Sequence, residues 1–383
     1  MLGVQQLMVD QVISSDGHVF EPADVWTARL DARLRAQAPH VVAADDADWW
    51  MCQGHKLQSC HSGGEQLGWR FTSPERLNRA GRMSSVLPGA YDPTARLKDM
   101  ARERLSGEVL YPTIGGHLYG GWLEQEFFNA ACRAYNDWLA DFCAVQPDRY
   151  RGLAMLNAED TGNAVKELER ARGRGLAGGV ISVTPADGRR HDDPQFDSLW
   201  ASAEASGMPL SLHIISPSLF GFREGAQKLN GEQETPSFRI NMDYWPRMCL
   251  GHMIFGGVFE RYPGLRVGVV EFEAVWAAHL VERMDFIYTQ KAYTKSWRRF
   301  QGGALPSDFF HRNVFLGIQE DAMAVRLRDV IGVDNLLWGS DYPHAESTFP
   351  RSQEILTEIL DGCTPEEVDK ITRENARRLY RFP

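Results

Sequence analysis

Apolar residues in this chain gather in short runs of strand length, and between the runs they recur at three- and four-residue spacing. The first run covers residues 12–18 and is broken by Glu21-Pro22, where a short helix begins. Further runs fall at 108–112, 151–156, 178–183, 209–214, 266–271, 313–318 and 335–341. Helices are expected at 92–105, 128–142, 162–174, 194–205, 239–256, 275–291, 321–331, 351–361 and 365–380. The clearest helical face is Phe128, Ala131, Tyr135, Trp138, Leu139 and Phe142. Apolar runs separated by helices indicate a parallel sheet, and eight such units predict a closed (β/α)8 TIM barrel. One stretch, 31–95, does not alternate cleanly and reads as an insertion after the first strand, with a small hairpin. Insertions of that length in a compact domain serve as lids or subunit contacts. A longer connection runs through Gly221, Gly225 and Gly231. The whole chain, 1–383, is expected to form one barrel domain, which its length permits.

Composition narrows the function classes. Hydrophobic content of 43% and charged content of 24% are ordinary for a globular protein. A net charge of -10, from 41 basic and 51 acidic residues, argues against nucleic acid or an anionic membrane as partner. No apolar run approaches the ~20 residues a membrane span needs. Residues 1–10 lack a cationic start and an apolar signal segment, so a cytoplasmic location is expected. The six cysteines (52, 60, 132, 143, 249 and 363) show no paired framework and are expected to be reduced. A phosphate-cradling Gly-rich loop and a Gly-x-Ser-x-Gly elbow are both absent, leaving nucleotide dependence and a serine triad unsupported.

In a barrel of this kind the chemistry sits where strands end. Those ends carry Asp16 and His18 on the first strand, His213 on the fifth, Glu271 on the sixth and Asp341 on the eighth. Residues i and i+2 of a strand share a face, so Asp16 and His18 can both turn inward. A lone Asp is ordinarily a cap or turn residue, and a lone His a hydrogen-bonded core residue. Five ligand-capable residues at one end of four strands make a metal site the better reading. In the insertion, Cys52, His55, Cys60 and His61 have zinc-like spacing, but four such residues in a loop excursion arise easily by coincidence.

Four stretches carry a family resemblance: Asp16-Gly17-His18-Val19-Phe20-Glu21-Pro22, Pro209-Leu210-Ser211-Leu212-His213, Gly256-Gly257-Val258-Phe259-Glu260-Arg261-Tyr262-Pro263 and Trp338-Gly339-Ser340-Asp341-Tyr342-Pro343-His344. With Arg283-Met284-Asp285 and Glu374-Asn375-Ala376, the chain resembles the amidohydrolase superfamily. The resembling branch contains aminocarboxymuconate-semialdehyde decarboxylase and γ-resorcylate decarboxylase. The family's first-strand His-x-His is matched only at His18, with Asp16 in the first position. Glu271 stands where relatives place a sixth-strand His, and no Lys ends the fourth strand, where Val183-Thr184 lies. A carbamylated lysine bridging two metals is therefore not expected. The resemblance alone implies zinc, whereas two imidazoles and three carboxylates suit Mn(II) or Fe(II) and can neutralise one or two divalent ions.

The resemblance implies that Asp341 holds or deprotonates a metal-bound water, a role that ligand and base share chemically. His344 is read either as a turn residue or as a group that orients Asp341 or touches substrate, and Glu21 as a supporting group rather than a metal ligand. His252 is read as packed rather than facing the site, while Glu273 and Trp276 can line the pocket or be buried. Trp49, Trp50, Trp69 and Phe71 are candidates for an apolar lid, which would suit a bulky aromatic substrate. The leading expectation is a metal-dependent hydrolase or non-oxidative decarboxylase acting on a small aromatic or cyclic carboxylic substrate. The alternatives are a non-haem di-iron oxygenase on the same barrel and a degenerate, non-catalytic member. The resemblance and the aromatic insertion also imply a homo-oligomer.

Overall fold

Each apolar run becomes a strand buried along its length, because helices cover the outer face of the sheet and side chains fill the inner one. The strands are β1 (Val12–His18), β2 (His40–Ala43), β3 (Asp48–Cys52), β4 (His55–Ser59), β5 (Leu105–Tyr111), β6 (Tyr150–Met155), β7 (Gly178–Ile181), β8 (Leu210–His213), β9 (Val267–Val270), β10 (Val314–Ile318) and β11 (Leu336–Trp338). In this computed structural model, which describes residues 9–185, 188–214, 236–290 and 299–383, eight of them form one sheet. Its order is β1-β5-β6-β7-β8-β9-β10-β11, with parallel ladders throughout. The expected TIM barrel is present.

Closure between β11 and β1 comes from the loop after β11 rather than from a regular ladder. The amides of Ser340 and Asp341 both donate to the Asp16 carbonyl, at 3.0 and 2.8 Å, and the His18 amide donates to the Tyr342 carbonyl at 2.6 Å. This contact needs Gly339: a Cβ there would lie 2.4 Å from the Asp16 Cβ. The β1–β5 register is irregular between Ser14 and Gly17, a bulge-like break that re-aims Asp16.

The helices follow the expected spacing. Helix Gln125–Ala144 buries Phe128, Ala131, Tyr135, Trp138, Leu139 and Phe142. Asp92 caps helix Pro93–Arg102 by accepting from the Thr94 and Ala95 amides at 2.7 and 2.9 Å. The last expected helix is divided into Pro365–Asp369, a π turn at Lys370–Glu374 and Asn375–Tyr380. Two expectations are corrected. The insertion folds as a three-stranded antiparallel sheet, β2-β3-β4, not a single hairpin. The eighth strand stops at Trp338, so Asp341 lies in the following loop and not on the strand. The glycine-bearing connection through Gly221, Gly225 and Gly231 lies outside the described residues.

Candidate active site

The barrel brings Asp16, His18, His213, Glu271 and Asp341 together at the C-terminal ends of β1, β8, β9 and β11. Asp16, His18, His213 and Glu271 each offer one atom within 4.8 Å of the others'. Asp16 Oδ1 lies 3.2 Å from His213 Nε2 and 3.5 Å from His18 Nε2. Glu271 Oε2 lies 3.5 Å from His213 Nδ1 and 4.0 Å from His18 Nε2. Asp341 Oδ1 approaches His18 Nε2 to 3.5 Å from another side. His18, His213 and Asp341 are almost fully buried.

Backbone geometry aims these groups. Asp341, Glu271 and Glu273 all sit in the left-handed region, with φ of 59°, 63° and 51°. For a side chain other than glycine that conformation costs roughly 1–2 kcal/mol, and such outliers gather at functional sites. His18 Nδ1 is fixed at 2.9 Å from the Pro112 carbonyl, which leaves Nε2 facing the carboxylates. Behind the strand, the buried Arg96 donates to Glu108 at 2.6 and 3.1 Å and to the His18 carbonyl at 2.7 Å. Its guanidinium also lies against the Tyr342 ring, so one side chain braces both His18 and the residue after Asp341.

His18 Nε2, Glu271 Oε2 and both carboxylate oxygens of Asp341 are buried without a hydrogen-bond partner. Asp341 Oδ1 does lie 2.7 Å from His344 Nδ1, as an ion-pair contact and not a hydrogen bond. Buried polar atoms are almost always satisfied, so several orphans converging on one point fit a bound cation.

The electrostatics agree. Burial pushes Asp341 and Glu271 well above the usual carboxylate range, and neighbouring carboxylates add to it: Asp16 for Asp341, Asp341 and Asp16 for Glu271. Burial also opposes the Asp16 anion, but the imidazoles of His213 and His18 outweigh it and hold Asp16 well below that range. Burial lowers His213, and brings His18 and His344 down to about 4, keeping the imidazoles neutral. Neutral imidazole is the form that binds metal, and a divalent ion would return the carboxylates to their anionic state. A divalent metal fits this site.

The remaining expected residues take varied places. The His344 ring lies 4.1 Å from the His18 ring, tilted by 35° against it, and places Nε2 3.1 Å from Thr113 Oγ1. Glu21 accepts from the Ile114 and Gly115 amides at 2.9 and 3.0 Å, shaping the loop after β5. Glu273 accepts from the Gln319 and Glu320 amides, tying the β9 loop to the β10 loop. Trp276 donates to the Phe272 and Glu273 carbonyls and is buried on its own helix, Val275–Gln290. Two candidates are not pocket residues. Trp50 is fully buried against Phe20 and Trp26, because β3 turns alternate side chains toward the barrel. His252 lines a separate cavity between helices Tyr244–Phe255 and Val275–Gln290 that contains none of the cluster.

Cys52, His55, Cys60 and His61 do not converge: Cys52 faces the Gln37 carbonyl, Cys60 Met83, His55 the Trp122 ring and His61 Ser59. The insertion is instead fastened to the barrel mouth. Arg70 donates to the Ser347 carbonyl at 2.9 Å and pairs with Glu320, and Gln58 meets His117 beside the β5 loop. Arg96, Thr113 and Arg70 were not legible as site residues, since each stands in sequence as an ordinary helix or loop residue.

The amidohydrolase family profile matches residues 85–382, which begins after β1. A γ-resorcylate decarboxylase of Rhodococcus jostii (strain RHA1) is 25% identical over 345 residues, spanning 82% of this chain and 96% of the relative. An amidohydrolase of Mycobacterium avium subsp. paratuberculosis K-10 superposes with a TM-score of 0.77 at 24% identity, covering 97% of this chain and 99% of that one. A 5-carboxyvanillate decarboxylase of Novosphingobium aromaticivorans DSM 12444, solved with bound manganese and a nitrobenzoic acid, gives 0.69 at 19% identity, covering 99% of each chain. None of these is an oxygenase, and nothing in the cluster favours that alternative. With the barrel, the cluster at its C-terminal mouth and a profile match over most of its length, this chain belongs to the amidohydrolase family.

Proposed function

We propose that this protein is a metal-dependent carboxy-lyase that removes CO2, without oxidation, from a hydroxylated aromatic carboxylic acid. The observation that carries the reading is the set of orphaned buried atoms on His18, Glu271 and Asp341, set among Asp16 and His213. Asp16, His18, His213 and Glu271 would hold one divalent ion, and Asp341 would close the set on the His18 side. Carboxylate oxygens predominate among these donors, which favours manganese over zinc. The decarboxylase relatives and the manganese in a structural neighbour support the same choice.

A divalent cation bound there would polarise the carboxylate and adjacent hydroxyl oxygens of the substrate. The chain's own groups handle the proton. Loss of CO2 requires the ring carbon to gain a proton as its bond to the carboxylate breaks. Asp341 faces the cluster with both oxygens unpartnered, so its carboxylate can take up a proton from the substrate's own acid group and hand it to the ring carbon as CO2 leaves, with the His344 ring 2.7 Å away to position it. His344 is held for this by Thr113 at 3.1 Å. The insertion is fastened across the loops after β5, β10 and β11, at the rim of the mouth.

Asp341→Asn tests the assignment. Turnover of a 2,6-dihydroxybenzoate or carboxyvanillate probe should fall at least about 100-fold with the far-ultraviolet circular dichroism unchanged. Near-wild-type turnover would refute the role. Six free cysteines, five of them buried, support a reducing, cytoplasmic setting. Exposed Ile240, Tyr244 and Met248 along one side support a homo-oligomer, which light scattering would read directly. Among the described residues, no helix is long and apolar enough to cross a membrane.

A further inference from the structure

The floor of the barrel, opposite the cluster, contains a cavity of about 320 Å³. Its walls come from the residues leading into β8, β9 and β11 and from the end of the last helix, Asn375–Tyr380. Arg266, Arg378 and Arg381 line it, and Asp334 is its one acidic lining residue. Asp334 is already shared, at 3.3 Å from Arg378 Nη2 and 3.1 Å from Lys370 Nζ. Arg378 also donates to Asn375 Oδ1 at 3.0 Å, and Arg381 directs its Nη2 at the Ser206 and Gly207 carbonyls.

Arg266 has no such partner. Its Nε is buried without an acceptor, too deep to meet a ligand itself, and among the described residues no carboxylate pairs with the guanidinium that lines the cavity. A guanidinium carries five donors and keeps its proton, so this group cannot relieve the deficit by titrating. In a chain of net charge -10, three guanidinium groups around one shared carboxylate reverse the local sign.

We propose that this cavity is a binding site for a small oxyanion of the phosphate or carboxylate class, with Arg266 as its principal contact. The planar fork of arginine matches both anions in bidentate geometry, which ammonium groups do not. The cavity is larger than one phosphate needs, so the preferred ligand carries its anionic group on a small organic body. Strands run from this floor to the cluster, and none of the cluster residues lines the cavity. The site is therefore separable from the metal centre by mutation.

Calorimetric titration of the manganese-loaded full chain with inorganic phosphate tests the proposal, in wild type, Arg266→Met and His213→Asn. Phosphate binding should persist in His213→Asn, which disables the metal centre, and weaken about 10- to 100-fold in Arg266→Met. Unchanged affinity in Arg266→Met, or loss of binding in His213→Asn alone, would overturn it. Arg378→Met, at a more exposed position, gives a second reading where Arg266→Met does not fold. It should weaken phosphate binding several-fold, and wild-type affinity in it would count against the site. A parallel titration with citrate separates the two anion classes, and no heat with either in the wild type refutes the proposal.

Discussion

Single residues at this mouth are held in states that free amino acids avoid. Asp341 keeps a left-handed backbone and two unpartnered oxygens in the barrel interior, a combination that stability alone would not maintain. Asp341→Asn therefore removes a charge and a proton carrier while leaving shape nearly intact, so the proposed collapse of turnover should not be accompanied by unfolding. Glu21 shows a different residue effect. Burial pushes its carboxyl up to about 7 from an ordinary 4.5, although the Gly115 and Ile114 amides partly stabilise the anion. A raised acid binds its proton more tightly in the folded chain than in the unfolded one. Stability from this group is thus present below about 4.5 and lost as pH rises through about 7. At about 1.4 kcal/mol per unit, the loss is on the order of 3 kcal/mol. Relative to wild type, Glu21→Gln should gain stability between pH 4.5 and 8 in urea unfolding. Parallel pH profiles for the two proteins would contradict this.

Between elements, the decisive joint is the one that brings the two ends of the chain together. Arg96, on helix Pro93–Arg102, reaches across β1 to the His18 carbonyl and under the Tyr342 ring while paired with Glu108. Both partners are fully buried, so removing one leaves an uncompensated charge at a cost of about 3–5 kcal/mol. Arg96→Met should show that loss in chemical denaturation. Arg96→Lys keeps the charge but not the fork, and it should weaken metal binding measured by competition with a chelator dye. Wild-type metal affinity in Arg96→Lys would mean that the pair stabilises the fold without positioning His18. Trp50 belongs at this scale too. Buried against Trp26 and Phe20, it fastens the insertion's sheet to the barrel. Trp50→Ala should cost about 3–5 kcal/mol of stability with KM unchanged, and a raised KM at full stability would restore it to the pocket.

For the whole molecule, the cluster concentrates charge that folding would otherwise oppose. Three carboxylates and two neutral imidazoles share a buried site, and a divalent cation is the simplest way to compensate them. An ion that binds only the folded chain adds RT ln(1 + [L]/Kd), about 2.7 kcal/mol at one hundred times Kd. Chelation should therefore lower the melting temperature, and manganese should restore both it and activity. A melting temperature unaffected by chelator would remove the metal from the folding argument.

The apolar runs predicted the alternation of parallel strands and helices, because strands covered on both faces are mostly apolar, while closure of the eight into a barrel was decided by the backbone contacts of the loop after β11 with β1. The same reading placed Asp16, His18, His213, Glu271 and Asp341 at one end, since strand ends are where a polar residue can interrupt such a run. What followed from spacing alone was less secure: Trp50 lies on an element whose orientation is set by packing, and β3 turns it away from the mouth, while His252, read as packed, lines a separate cavity. Arg96 and Thr113 were invisible for the converse reason, as nothing local distinguishes a bracing arginine from a surface one. Only the tertiary structure decided that Asp341 leaves its strand and turns left-handed, because Gly339 must pass within contact of Asp16. Chemical identity is thus local and readable, while convergence depends on contacts between residues more than three hundred positions apart.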